Sequence, residues 1–102
     1  MTTIDSIPII DTDTHVVEPP DLWTSRMSSK FGGLVPSVRW DDESELDMWF
    51  AGDQRLGAAG MPAAAGWHEH PPLHPPRFAD VDPDAWDPLR RAQLMDRLGI
   101  RC

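Results

Sequence analysis

At 102 residues the chain has the length of one domain, and 17 acidic against 9 basic residues leave a net charge of -8. With no basic stripe to neutralise phosphates, nucleic acid is excluded as an expected partner. No apolar run approaches the roughly 18 residues that span a membrane, and the single cysteine, Cys102, allows no internal disulfide.

Met1–Asp5 lacks a basic region followed by an apolar core, so no signal peptide is expected. Together with the lone cysteine this makes a reducing, cytoplasmic location the default.

In chain order, Ile7–His15 reads as a strand: an isoleucine-rich entry, then threonines, with Pro8 at its start or edge. Side chains alternate along a strand. Ile9, Asp11, Asp13 and His15 would then share a face. Pro19-Pro20 ends the strand, and Asp21 caps a short helical turn carrying Trp23 and Met27. Val35–Trp40 is extended. Met48-Trp49-Phe50 and Gln54-Arg55-Leu56 form a small hairpin turning on Gly52-Asp53. Residues 28–82 as a whole read as a loop-rich insertion, because prolines and glycines gather from residue 57 onward.

The last element has the clearest punctuation. Asp87 suits an N-cap, Pro88 the first helical position and Gly99 the C-terminal cap, so a helix is expected over 87–98. Ala92, Leu94, Met95 and Leu98 gather on one arc, against Arg90, Gln93, Asp96 and Arg97 on the other. Ile100-Arg101-Cys102 looks like a strand that has just begun. The order is that of one parallel β-α unit, and a closed eight-fold barrel takes about 250 residues. The chain therefore reads as a single partial domain, 1–102.

Asp13 and His15 offer an oxygen and a nitrogen donor suited to zinc, with manganese or iron as alternatives. Asp11 and Glu18 are possible supporting acids. The plainer reading is a strand-to-loop turn whose Asp and His cap backbone groups. His68-Glu69-His70-Pro71-Pro72-Leu73-His74 also holds donors, but its prolines break any regular spacing, so a solvated loop is expected. Trp23, Trp40, Trp49, Trp67 and Trp86 read as core or interface filler.

The run from Asp11 through Asp13, His15, Glu18 and Pro19-Pro20 to Trp23 resembles the N-terminus of the amidohydrolase superfamily. The likeness is strongest to the amidohydrolase-related branch that includes aminocarboxymuconate-semialdehyde decarboxylase. Leu94–Ile100 is similar to that family's first barrel helix. The resemblance covers 7–27 and 86–102 and leaves the middle poorly matched. It implies an α/β fold, the N-terminal fragment of a (β/α)8 TIM barrel, with 7–15 as barrel strand 1 and 87–98 as barrel helix 1.

The resemblance also implies a metal-dependent hydrolase or decarboxylase (lyase) whose divalent metal is held by Asp13 and His15. Asp13 departs from the histidine that many relatives carry, which leaves the metal's identity open. The intact enzyme would act on a small carboxylated or cyclic substrate and could form a homo-oligomer. The 102-residue chain alone is expected to be inactive, with an incomplete site. The competing expectation is a small non-enzymatic binding protein that uses its Trp-rich and Pro/His-rich surface.

Overall fold

Three strands carry most of the long-range backbone pairing in the computed structural model: β1 (Ser37–Asp41), β2 (Leu46–Ala51) and β3 (Gln54–Ala58). Residues 6–62, 64 and 66–102 are described. The Met1–Asp5 stretch read above for targeting, and positions 63 and 65 of the alanine-rich loop, lie outside the described residues. No helix among the described residues is long and apolar enough to cross a membrane.

The strands form an antiparallel sheet in the order β1-β2-β3. Asp41 closes the first turn by accepting from the Ser44 amide at 3.2 Å and the Ser44 hydroxyl at 2.6 Å, the side-chain capture that favours Asp at turns. The second turn falls on Gly52-Asp53. Between the Trp49–Gly57 and Phe50–Arg55 pairs the register skips Leu56, leaving it as a bulge on β3.

Asp47 ties the sheet to the later loop. Its amide donates to the Pro76 carbonyl (2.7 Å), its carbonyl accepts from Ala59 N (2.9 Å), and its carboxylate accepts from Phe78 N (2.7 Å). The core that results is small: Val17, Ala59, Phe78, Val81 and Ala85, with Val38, Trp49 and Trp86 packed against it. Phe78 and Trp86 meet at 5.6 Å between ring centroids, tilted by 52°, within the favourable range for aromatic pairs.

The helix expected from its caps is α1 (Pro88–Leu98). Asp87 accepts from Leu89 N (2.9 Å) and Arg90 N (3.3 Å), and Gly99 is left-handed at φ 71°. No residue of α1 is buried. It rests on the 3-10 turn Pro83–Ala85, where Arg90 Nε and Arg97 Nη2 lie 3.2 and 3.3 Å from the two Asp84 carboxylate oxygens.

The fold is not of the parallel barrel type. The sheet is antiparallel and arises inside the 28–82 stretch expected to be loop-rich. Residues 7–15 contribute one parallel bridge, Ile9 to Ile100, and no strand. The reason is partner supply. Antiparallel strands close on their neighbours through tight turns, whereas parallel strands require a long crossover and cover on both faces. The isoleucine run has the composition of a strand but, among the described residues, meets backbone on one side only, with Ile9 N bonded to Gly99 O (2.9 Å) and Arg101 N to Ile9 O (2.7 Å).

Candidate metal site

The last bond of that short pairing, Asp11 N to Cys102 O at 2.8 Å, is followed at once by a bend over Thr12-Asp13. Asp11 makes the bend itself. Its carboxylate accepts from the Asp13 amide at 3.1 Å, a local capture that competes with extended structure. Asp11, Asp13 and His15 are therefore not brought together by strand alternation. Asp11 holds the backbone that carries Asp13.

Beyond the bend, Asp13 Oδ1 and His15 Nε2 stand 3.3 Å apart, with side chains 92% and 65% exposed. The other ring nitrogen, His15 Nδ1, lies 3.2 Å from the Pro62 carbonyl. Both neighbours of the imidazole are thus acceptors. A neutral ring can donate to only one of them. If Nδ1–H donates to Pro62, Nε2 presents its lone pair beside the Asp13 oxygen, and two acceptors face each other. A cation, proton or metal, relieves that opposition. Holding one ring nitrogen on a backbone carbonyl so that the other is free is the arrangement that orients metal-binding histidines. The spacing fits as well: donors on a tetrahedral zinc with bonds of about 2.0–2.1 Å sit about 3.3 Å apart.

The pair faces a cleft of about 710 Å³ whose walls include Asp11, Thr14, Met61, Pro62 and, from α1, Arg91 and Leu94. Arg91 donates to the Thr14 hydroxyl, which ties α1 to the bend. The donor set remains small. Among the described residues no group of three or more His, Cys, Asp or Glu side chains could hold a metal ion.

Glu18 is not part of this cluster. Val17 turns into the core and leaves Glu18 on the other side of the chain, where it lines a second cleft with Trp23 and Trp49 that shares the Met61-Pro62 wall with the first. The Pro/His segment does not converge either. Trp67 Nε1 donates to Glu69 (3.2 Å), the Trp67 and His68 rings sit 4.3 Å apart, and His74 Nδ1 approaches the Pro75 carbonyl (3.1 Å).

An ionic cluster at Asp41 escaped the sequence reading. Arg55 reaches across from β3 to bond both Asp41 oxygens, Nε to Oδ2 at 3.0 Å and Nη2 to Oδ1 at 2.9 Å. It also pairs with Glu43 at 2.6 Å. The Arg55 bonds, then those from Ser44, lower the Asp41 pKa from 3.8 to about 2, against the opposing effect of burial. The partners are 14 residues apart, and only the hairpin register joins them.

No protein-family model, curated protein or solved structure matches the chain.

Proposed function

We propose that the chain supplies two ligands, Asp13 and His15, to a divalent-metal site of the amidohydrolase type. The chemistry would be hydrolysis or decarboxylation of a small carboxylated or cyclic substrate. The reading rests on ligand chemistry and not on a barrel. The observation that carries it is the placement of His15 between two acceptors, with Nε2 3.3 Å from Asp13 Oδ1 and Nδ1 3.2 Å from the Pro62 carbonyl.

When bound, a divalent metal lowers the pKa of a coordinated water and polarises a carbonyl or carboxyl oxygen. The chain's own residues would do the rest. Asp11 fixes the bend, Pro62 orients His15, and Arg91 places a cation in the same cleft, suited to a substrate carboxylate. Catalytic zinc usually takes three protein ligands. The remaining donor is therefore assigned to a surface beyond this pair, and the chain by itself is expected to show no turnover. A cytoplasmic location belongs to the same reading, supported by the free, exposed thiol of Cys102.

The test is zinc titration of the isotope-labelled chain, followed at the histidine ring nitrogens. His15 Nε2 should move first. Asp13→Asn and His15→Ala should each weaken binding by about 2 kcal/mol, more than tenfold. Zinc binding that survives His15→Ala and follows His68, His70 and His74 would overturn the assignment.

A further inference from the structure

We infer that the cleft carrying Glu18, distinct from the Asp13–His15 bend, is a binding site for a small organic ammonium cation. It encloses about 430 Å³, within the roughly 300–1,000 Å³ of small-molecule sites. Trp49 from β2 and the bulged Leu56 of β3 form one side, and Trp23 and Met61 contribute from the loops. Bulges are enriched beside binding sites because they re-aim side chains, and this one sits in the cleft wall.

Charge selects the ligand class. Glu18 alone among the lining residues is ionisable, and it has no hydrogen-bond or ion-pair partner among the described residues. An anion would meet that carboxylate and the net charge of -8. A neutral apolar ligand would leave the exposed Glu18 carboxylate unused. A bare metal ion would find a single carboxylate and no imidazole. An alkylammonium satisfies every wall. Its charge would pair with Glu18, its polarised methyl groups would meet the indoles of Trp23 and Trp49 that line the cleft, and the Met61 thioether would adapt to its shape. Exposure of Trp23, at 42%, leaves the cleft open to a diffusing small molecule.

The test uses choline as probe and its neutral isostere, 3,3-dimethylbutan-1-ol, as control. The indole N–H resonances of Trp23 and Trp49 are followed, assigned with Trp23→Phe and Trp49→Phe. Choline should shift both resonances saturably, and the isostere should bind about tenfold more weakly. Glu18→Gln should weaken choline about threefold or more and leave the isostere unchanged. Comparable affinity for the two probes, or no shift at either indole, would overturn the proposal. Should Glu18→Gln disturb the amide spectrum, the choline-to-isostere ratio of the natural chain decides. Choline binding should persist in Asp13→Asn, which lies outside the lining of this cleft, so this site can stand or fall separately from the metal reading.

Discussion

Asp41 accepts hydrogen bonds from the Ser44 amide and hydroxyl and from both ends of the Arg55 fork. The folded carboxylate, at about 2, lies below its usual 3.8, so the unfolded chain binds the proton more readily. Its contribution to stability is complete above about pH 4 and is lost as pH falls through about 2. Asp41→Asn should flatten the stability-versus-pH curve across that window and lower the thermal midpoint at neutral pH by several degrees. Superimposable curves for the two proteins would refute this. The Arg55 end is half open to water, so added salt should shrink the difference. Residue types singled out Asp13 and His15 only together with the family resemblance, because Asp-x-His by itself is a weak motif. They could not show that Asp11 would spend its carboxylate on the Asp13 amide, a local capture that turned an expected strand face into a bend.

At the scale of elements, short-range chemistry was readable where it is self-contained. The caps of α1 and the Gly52-Asp53 turn each depend on residues within a few positions of one another, and both are formed. The barrel reading required partner strands that the sequence could imply but not supply, and the antiparallel sheet formed through local turns. Two substitutions probe how the elements are held. Asp87→Ala removes the acceptor for Leu89 N and Arg90 N and should cost about 1 kcal/mol, read from the urea midpoint. Gly60 is buried where the chain passes close to its neighbour, and an added Cβ would lie 2.7 Å from the Pro75 carbonyl and 3.3 Å from Val81 Cγ2. Because backbone must move there, Gly60→Ala should cost roughly 1–3 kcal/mol by the same measurement. A neutral result would mean that the Pro75 loop yields freely.

The whole molecule is open for its length. Its radius of gyration is 16.7 Å, with extents of 59 × 32 × 20 Å, whereas a compact chain of about 100 residues has about 13 Å. The buried core is a handful of mostly small side chains, while Ile7, Ile9 and Ile10 beside the parallel bridge, and Leu89 and Leu98 on α1, stay exposed. Apolar rows of this kind are covered by another surface or drive association, and the side of the Ile9 segment that has no backbone partner among the described residues can meet a neighbour's edge. The chain in isolation should therefore associate as its concentration rises and bind a hydrophobic dye such as ANS. Replacing Ile10, 68% exposed, and Leu98, 53% exposed, by lysine should suppress both effects while leaving the far-ultraviolet dichroism unchanged, since neither side chain is buried. Sedimentation velocity across a hundredfold concentration range is the decisive measurement. A natural chain that stays monomeric throughout and ignores the dye would show that the exposed rows tolerate water, and that the small core around Val17 and Phe78 is enough to hold the molecule alone.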